Sequence, residues 1–409
     1  MQIYLVGGAV RDSLLNYPVK ERDWVVVGGN PQLMLDIGYQ QVGKDFPVFL
    51  HPDTKEEYAL ARTERKISAG YTGFSVFTSA DVSLEEDLLR RDLTINAMAQ
   101  DDQGNIIDPY HGRDDIKHKL LRHVSPAFSE DPVRVLRVAR FAARYAQLGF
   151  TVADETMRLM TDMVLNGEVN SLVAERIWQE MDKALHERSP EIFFSTLRKC
   201  GALKVILPEL ERLFGIPQPE QHHPEIDTGL HSLMVLQQSV ILSNKASVRF
   251  AALMHDLGKG VTPEDEWPSH HGHEEKGVKI IKDMCQRLRI PNEYRDLAIL
   301  TSRYHLHIHR ALELKPETLF KTIAALDAIR KQDRFEDFLL ACKADALGRK
   351  GYENTNYYQY DFMQEAFEKI NSISIEDLKQ LQLTGEKMAE EIRKKRLLAI
   401  KSIDLAKYQ

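Results

Sequence analysis

The chain has 409 residues, of which 43% are hydrophobic and 28% charged, a composition typical of a globular protein with a large core. Its net charge of −7 excludes nucleic-acid binding through overall charge, so any such binding must come from local basic clusters. The sequence has no membrane-length apolar run, no signal-peptide pattern and only three scattered cysteines, and we therefore expect a soluble, reduced, cytoplasmic protein.

Residues 1 to about 110 mix strand and helix patterns, which predicts an α+β region. The predicted strands are 3–6, 24–29 and 57–62, followed by a hairpin over 95–110 around the turn residues DDQGN. From about residue 128 the pattern is nearly all helical, and the Pro-rich stretch 215–224 is the best candidate boundary. Thr228 is then predicted to cap the first helix of a His-rich segment.

The segment YLVGGAVRDSLL places Gly7 and Gly8 between a predicted strand and a helix that begins near Val10. Glycines at such a turn let backbone amides approach phosphate oxygens, and the helix N-terminus favours negative charge. Arg11 lies in the first helical turn and points toward the same place. The segment does not match GxGxxG, and the acids that follow precede their strand rather than end it, so a dinucleotide-binding Rossmann site is excluded.

Two carboxylates, Glu21 and Asp23, stand at the start of the strand in KERDWVVV. Side chains two apart on a strand point to the same face. Beside a phosphate-binding turn, such a pair is suited to divalent metals that bridge a triphosphate and an attacking hydroxyl. The alternative is a solvated strand end, neutralised by Arg22.

Arginines recur in RRDLTINAMA (90–99) and EDPVRVLRVARFAAR (130–144). At helical spacing the second segment places four arginines within a sector of roughly 120°. The remaining surface of that helix is apolar, which indicates a buried helix whose arginines need anionic partners. A nucleoside triphosphate in a cleft would provide them, and we favour it over an internal salt-bridge network. These arginines are Arg134, Arg137, Arg140 and Arg144.

Asp131 and Arg134 open this helix and suggest that it reads a base. Cytosine and adenine each present an amino donor next to a ring-nitrogen acceptor, whereas guanine and uracil present the reverse. A carboxylate and a guanidinium would therefore accept C or A, because G or U would leave buried polar groups unpaired.

Histidines concentrate in the second half, where ten of the 15 lie between residues 222 and 309. His255-Asp256 ends an apolar helix, His231 lies on the preceding helix, and Asp345 lies on a later one. This mixture of imidazole and carboxylate predicts a divalent transition-metal site that generates hydroxide and polarises a phosphoryl oxygen. The alternative is a helical scaffold that merely retains histidines. The alternating residues His305, His307 and His309 are left unassigned.

Taken in order, GGAVRD, the acid pair, RRDLTINA, DPYHG and EDPVRVLR resemble the bacterial tRNA nucleotidyltransferases, the CCA-adding enzymes of the second class. The resemblance covers essentially the whole chain, and the histidine region resembles the HD phosphohydrolases of the multifunctional branch. It implies a polymerase-β-like head with a mixed sheet, a helical neck and body, and a helical HD domain. The implied activities are template-free addition of C, C and A to tRNA, and phosphatase, 2′-nucleotidase and 2′,3′-cyclic phosphodiesterase reactions.

The resemblance also implies roles for individual residues. Glu21 and Asp23 would bind Mg²⁺, and Asp131 and Arg134 would act as a protein template. The implied triphosphate-binding residues are Gly8, Arg11, Arg91, Arg137 and Arg140. The implied HD metal ligands are His231, His255, Asp256 and Asp345, with Ni²⁺ as a candidate metal. Glu21 departs from the family's Asp-x-Asp, and Mg²⁺ tolerates little error in geometry, so we expect a working site, with weakened catalysis as the alternative. Glu64 is a candidate for a third metal ligand or a general base, although a surface glutamate is the favoured interpretation.

The domains expected are a head (1–125), a neck and body with the base-reading helix (126–220), an HD domain (221–350) and a helical tail (351–409). The expected partners are tRNA, ATP and CTP, with no membrane and no obligate protein partner. We expect a monomer or a weak homodimer.

Three competing functions remain open at this point. A poly(A) polymerase would use the same head, but would usually lack the histidine site. A protein uridylyltransferase also joins such a head to an HD domain, but its chain is longer and Asp131 with Arg134 would reject uracil. An RNA-binding protein with an inactive head is conceivable because of Glu21.

Overall fold

The structure, a computed structural model, describes residues 1–42, 48–66, 74–77, 81–221, 223–373 and 385–408. The chain forms two compact units. The first comprises Met1–Ala184 and Ile192–Ile206, and the second Leu185–Glu191 and Leu207–Gln409. Within the described ranges, every helix is too short or too polar to cross a bilayer.

The first unit is α+β, as predicted. Its strands are β1 (Gln2–Val6), β2 (Asp23–Val27), β3 (Gln40–Val42), β4 (Val48–Leu50), β5 (Glu57–Leu60), β6 (Thr63–Lys66), β7 (Phe74–Phe77), β8 (Ala99–Gln100), β9 (Ile106–Ile107), β10 (Leu120–Leu121) and β11 (Thr151–Val152). The helices along this part of the chain are α1 (Gly8–Leu14), α2 (Pro31–Asp36), α3 (Leu84–Leu89), α4 (Gly112–His118), α5 (Val133–Tyr145), α6 (Asp154–Leu165), α7 (Ala174–Leu185), α8 (Glu191–Lys199) and α9 (Ala202–Ile206).

Seven strands form one mixed sheet in the order β3-β4-β5-β2-β1-β8-β9. Within this sheet β2 and β5 run parallel, and the other neighbours run antiparallel. The predicted strands at 3–6, 24–29 and 57–62 are confirmed with small shifts at their ends, as is the hairpin of β8 and β9. Residues 94–96 form a 3-10 turn ahead of that hairpin.

The register of β1 against β2 determines where the glycine turn and the two acids, Glu21 and Asp23, lie in the first unit. It pairs Val6 with Asp23, so the end of β1 lies beside the start of β2. The glycine turn that follows Val6 and the acids that precede Trp24 therefore lie at the same edge of the sheet. Val6 and Val25 are buried in the core beneath this edge.

Helix α5 is buried along nearly its whole length, as its apolar pattern predicts. One carboxylate, that of Asp12 on α1, joins the two helices. Its Oδ1 accepts hydrogen bonds from Arg11 Nε at 2.8 Å and from the Tyr145 hydroxyl at 2.7 Å. Its Oδ2 accepts one from Arg144 Nη2 at 3.1 Å. Because Asp12 and Arg11 are both buried, this network holds α5 against the helix that follows the glycine turn.

The second unit is helical. Its helices are α10 (Pro208–Glu211), α11 (Thr228–Leu242), α12 (Ala246–Met254), α13 (His273–Arg287), α14 (Asn292–His309), α15 (Pro316–Ala325), α16 (Gln332–Leu347), α17 (Tyr358–Asn371) and α18 (Gly385–Lys401). Helices α11, α12, α14 and α16 pack on one another and bring the histidine-bearing segments together.

Two predicted helix starts are wrong. The cap of α11 is Asp227, whose carboxylate accepts from Leu230 N at 2.8 Å, and Thr228 is the first helical residue. The Thr228 hydroxyl donates instead to the Ile216 carbonyl, so it is not available to cap. Helix α1 begins at Gly8 rather than near Val10, directly after the turn at Gly7.

We expect Asp12→Ala to lower the free energy of unfolding of the first unit by about 3–5 kcal/mol, because it leaves the buried Arg11 cation without its carboxylate. Native-state hydrogen exchange of the α1 and α5 amides would measure the loss as a lower free energy of opening. The matched control is Asp114→Ala, which removes an exposed acid paired with His111. A change as small as that control, within about 0.5 kcal/mol, would contradict the role given to Asp12.

Candidate active sites

The glycine turn of the head brings an arginine against the backbone. Gly7 has a φ of 68°, and a Cβ there would lie 2.6 Å from Arg91 Nη1. Arg91 also donates to Asp87 Oδ2 at 3.3 Å and to the Asn96 carbonyl at 3.4 Å. Its Nε is buried without a hydrogen-bond acceptor among the described residues. Burial lowers the pKa of Arg91, and the charge of Asp87 opposes that shift.

The acid pair stands beside this turn. Glu21 and Asp23 are both exposed at the start of β2. Although the Asp23 side chain is exposed, desolvation by the protein around it raises its pKa; the Arg91 charge opposes the shift and the Glu21 charge adds to it. The two carboxylates therefore repel each other, which a divalent cation would relieve. Among the described side chains no third ligand joins them, and the side chain of Glu64 lies outside that set.

A buried carboxylate–amide network supports the same site. Asp92 Oδ1 accepts from Asn96 Nδ2 at 2.8 Å, and its Oδ2 accepts from Arg137 Nε at 2.7 Å. Asn96 Oδ1 in turn accepts a short hydrogen bond from Arg11. Although burial opposes it, the Arg137 charge holds the pKa of Asp92 well below its usual range. Asp92 is thus a permanent anion that fixes the position of Arg137.

The four arginines of α5 all have partners within the protein. Arg137 and Arg144 bind Asp92 and Asp12, as described above, and Arg140 Nε donates to Glu180 at 2.6 Å. The internal salt-bridge network, which the sequence left as an alternative, is therefore present. Arg137 keeps 37% of its side chain exposed, whereas the Arg140 side chain is only 9% exposed.

The two predicted base-reading residues, Asp131 and Arg134, bind different partners within the protein. Arg134 donates to the backbone carbonyls of Ala127 at 2.9 Å and Arg90 at 2.5 Å. Both oxygens of Asp131 accept from the guanidinium of Arg176, each at 3.3 Å. No local pattern identifies Arg176 as a partner of Asp131, because it lies 45 residues away on α7.

In the second unit the structure brings the four predicted metal ligands together. Asp345 Oδ1 lies 3.1 Å from His231 Nε2 and 3.5 Å from His255 Nε2. Asp256 Oδ2 lies 3.1 Å from His255 Nε2. All four are buried. Although burial opposes the charged form, Asp256 and Asp345 raise the pKa of His255 to about 9, so the carboxylates attract a cation here.

These residues fit a divalent metal. The set mixes imidazole nitrogen with carboxylate oxygen, which suits a transition metal. His255 Nδ1 donates to the Ala252 carbonyl at 2.8 Å, which directs Nε2 toward the carboxylates. Lys259 Nζ donates to Asp256 Oδ2 at 2.6 Å, and Asp256 Oδ1 has no hydrogen-bond donor among the described residues. An unpartnered buried carboxylate oxygen is the feature that a metal would satisfy.

The predicted ligand set omits several side chains that surround this site, although the motif HHGHEE (270–275), which contains His273, is part of the sequence pattern. They are His223, Glu225, His273, His305 and His309. His309 Nε2 lies 2.6 Å from Asp345 Oδ2, and its Nδ1 lies 2.7 Å from the Tyr357 hydroxyl. His305 and His309 are four residues apart, so they share one face of α14. The four-residue spacing could have identified His305 and His309 as neighbours on one helix face. Their alternation with Leu306 and Ile308 made this spacing hard to recognise.

Family models match three parts of the chain. The poly A polymerase head domain matches residues 3–122, the probable RNA and SrmB-binding site of polymerase A matches 149–214, and the HD domain matches 228–332. The head and HD models both imply chemistry that depends on divalent metals.

Curated relatives match over almost their whole length. The multifunctional CCA protein of Thioalkalivibrio sulfidiphilus is 60% identical over 403 residues, 98% of each chain. That of Hahella chejuensis is 58% identical over 401 residues, which cover 98% of this chain and 95% of the relative.

Solved structures share the fold. An apo CCA-adding enzyme has a TM-score of 0.67 at 18% identity, with coverage of 100% of this chain and 90% of the other. The Thermotoga maritima CCA-adding enzyme complexed with tRNA has a TM-score of 0.64 at 16% identity, covering 98% and 87%. With this fold, and with 60% identity to a curated relative along nearly all of its length, the chain belongs to the multifunctional CCA proteins, tRNA nucleotidyltransferases that also carry a metal-dependent HD domain.

Proposed function

We propose that the head adds C, C and A to the 3′ end of tRNA, using CTP and ATP. The observation that carries this proposal is the position of Asp23 beside Val6, which puts the acid pair at the arginine-lined glycine turn. Related CCA-adding enzymes have been solved with ATP, with CTP and with tRNA, which supports these substrates. In the reaction the tRNA 3′ oxygen forms a bond to the α-phosphorus while the bond to pyrophosphate breaks.

Glu21 and Asp23 are the residues proposed to hold Mg²⁺. Such an ion, when bound, neutralises charge on the triphosphate and lowers the pKa of the attacking hydroxyl. Glutamate offers the same oxygen donors as aspartate on a stem one methylene longer. Both side chains are exposed at the strand start, where that extra length can be accommodated.

The arginines of the proposed triphosphate site form two groups, one solvent-accessible and one buried. Arg91 and Arg137 retain accessible surface and would contact phosphate oxygens directly, beside the backbone amide of Gly8. Arg11 and Arg140 are buried and already paired, so their proposed part is to position the turn and α5. A positive cleft prepared in this way stabilises charge on the phosphates without rearrangement during reaction.

Base selection is proposed to rest on Asp131 and Arg134. The carboxylate would accept from the amino group of C or A, and the guanidinium would donate to the adjacent ring nitrogen. Arg176 holds both carboxylate oxygens of Asp131 and so sets its direction. We propose Arg176 as a positioning residue for this selection.

We expect Arg176→Met to lower kcat/KM for CTP and ATP roughly 10- to 100-fold, because misplacement of a recognition group by about 1 Å has an effect of this size. The preference for CTP over UTP should fall as well, a readout that a purely structural role would not change. Arg176→Lys should retain part of the preference. Gln179→Met, on the exposed face of the same helix, is the matched control. Unchanged preference with normal folding would contradict the role.

For the second unit we propose a phosphohydrolase that acts as phosphatase, 2′-nucleotidase and 2′,3′-cyclic phosphodiesterase in the repair of tRNA ends. His231, His255, Asp256 and Asp345 are proposed to hold a divalent transition metal, with Ni²⁺ as a candidate. Such a metal, when bound, supplies hydroxide at neutral pH and polarises the phosphoryl oxygen. Asp345 lies 3.1 Å from His231 and Asp256 lies 3.1 Å from His255, so imidazole and carboxylate ligands face one another in this site.

Because the two proposed active sites lie in different units, a substitution in one site should abolish only the reaction of that site. We expect His255→Ala or Asp256→Ala to abolish phosphate release from a 2′,3′-cyclic nucleotide while nucleotide incorporation continues. Asp23→Ala should do the reverse, because it removes a carboxylate from the head and leaves the HD unit intact. Both reactions are measured on each full-length variant. If either substitution removes both activities in a folded protein, the model of two sites is wrong.

We also propose that the chain works in the cytoplasm, where tRNA is processed, as a monomer or a weak homodimer. The division into a head (1–125), neck and body (126–220), HD domain (221–350) and tail (351–409) is proposed as the functional organisation. The HD model match over residues 228–332 supports the third of these parts.

A further inference from the structure

An arginine and a tyrosine lie against each other just beyond the end of α16, the helix that carries Asp345. The guanidinium carbon of Arg349 lies 4.7 Å from the centre of the Tyr352 ring. Arg349 Nε donates to the Ala346 carbonyl at 2.9 Å, which holds the guanidinium at the helix end. Tyr352 is 36% exposed, so the Arg349–Tyr352 pair presents an aromatic surface to solvent.

The turn that carries the pair has a defined shape. Tyr352 N donates to the Arg349 carbonyl at 2.9 Å, and the Tyr352 carbonyl accepts from the amide and the hydroxyl of Thr355 at 3.1 and 2.8 Å. A Cβ built at Gly351 would meet no atom of the described residues within 4 Å, so the backbone beside the ring is open to a ligand. The pair is therefore a fixed surface with free space next to it.

A carboxylate joins this turn to a predicted metal ligand. Lys350 N donates to Glu225 Oε2 at 3.2 Å, and Glu225 Oε1 lies 2.9 Å from His231 Nδ1. The turn is thus only two contacts from His231, and it follows Asp345 directly along the chain.

A second chain of contacts reaches the same site through Tyr357. Its hydroxyl lies 2.7 Å from His309 Nδ1, and His309 Nε2 lies 2.6 Å from Asp345 Oδ2. Burial raises the pKa of Tyr357, and the charge of Arg349 opposes that shift, which indicates that the guanidinium lies near the outer end of this chain. The exposed pair therefore borders the buried histidine–carboxylate site.

An exposed ring packed on a guanidinium suits a flat ligand with a π-face. Nucleobases stack on aromatic side chains and on arginine guanidinium planes, and such stacking accepts any base because every base has a π-face. We propose that Arg349 and Tyr352 form a nucleobase subsite, which holds the base of the nucleoside whose phosphate is hydrolysed at the buried site.

This subsite gives the second unit a preference among phosphate esters. A substrate with its phosphate among the buried ligands would extend its ribose and base toward the rim, where the pair lies. Stacking without a hydrogen-bonding partner for the base edge would select nucleotides over base-free esters but would not distinguish the four bases. The inference rests on the proposed phosphohydrolase function for the identity of its substrate.

The test compares a 2′,3′-cyclic nucleotide with 1-O-methylribose 2′,3′-cyclic phosphate, which has the same sugar and phosphate but no base. We expect Tyr352→Ala in the full-length chain to raise KM for the nucleotide roughly 5- to 100-fold, because loss of one base stack has an effect of this size. KM for the base-free ester should not change. Tyr352→Phe should keep the parent value, since it keeps the ring. Tyr358→Ala, which removes a nearby tyrosine of equal exposure, is the matched control.

A fluorescence measurement detects the stacking without hydrolysis. The ligand is 2-aminopurine riboside 2′,3′-cyclic phosphate, whose emission is quenched by stacking, and the chain carries His255→Ala so that it cannot hydrolyse the ester. Adding Tyr352→Ala should remove the part of the quenching that belongs to this subsite. The proposed nucleotide site of the head contributes equally to both chains, because both substitutions lie in the second unit.

An RNA that ends in a 2′,3′-cyclic phosphate shows which base is held. Equal losses for the RNA and the mononucleotide support the proposal, whereas a loss confined to the RNA would overturn it. An equal rise in KM for the base-free ester, or unchanged KM and quenching, would also overturn it. Tyr352→Leu substitutes if Tyr352→Ala fails to fold. If the parent hydrolyses none of the esters but its quenching still depends on Tyr352, only the proposed phosphohydrolase function is wrong.

Discussion

The carboxylate of Asp12 accepts hydrogen bonds from Arg11, Arg144 and Tyr145, and the head is organised around this contact. A helix as buried and as rich in arginine as α5 is stable only where anions neutralise it. Asp12, Asp92 and Glu180 do so from within the protein. With these charges fixed, the glycine turn, Arg91 and the acid pair occupy defined positions at one sheet edge.

The second unit, which contains the HD-domain match, differs in how its buried polar groups are paired. There the buried side chains present more acceptors than donors, because backbone carbonyls take up the Nδ1 protons of His255, His273 and His305. Burial lowers the pKa of His305 to about 3, so that ring remains neutral at physiological pH. The first unit therefore pairs its buried arginines with its own carboxylates, whereas the second unit leaves a buried acceptor, Asp256 Oδ1, without a donor among the described residues.

Local patterns predicted much of this molecule from its sequence. Short apolar runs identified β1 and β2, and apolar periodicity identified α5. The structure also brings the His255-Asp256 pair close to its two distant partners, His231 and Asp345. Contacts between distant residues were beyond the sequence: Tyr145 is 133 residues from Asp12, and Glu180 is 40 from Arg140. The arginines of α5 were for this reason expected to face a ligand, although the protein itself supplies their partners. The Asp227 cap was missed because Thr228 offers a similar local signal.

We propose above that this head, with glutamate at position 21, completes the tRNA 3′ end. The most direct measurement sizes the product after incubation of the full-length chain with Mg²⁺, CTP, ATP and a tRNA transcript that lacks CCA. We expect growth by C, C and A that requires both nucleotides. If neither this chain nor its Glu21→Asp variant extends the tRNA, the proposed CCA addition is wrong.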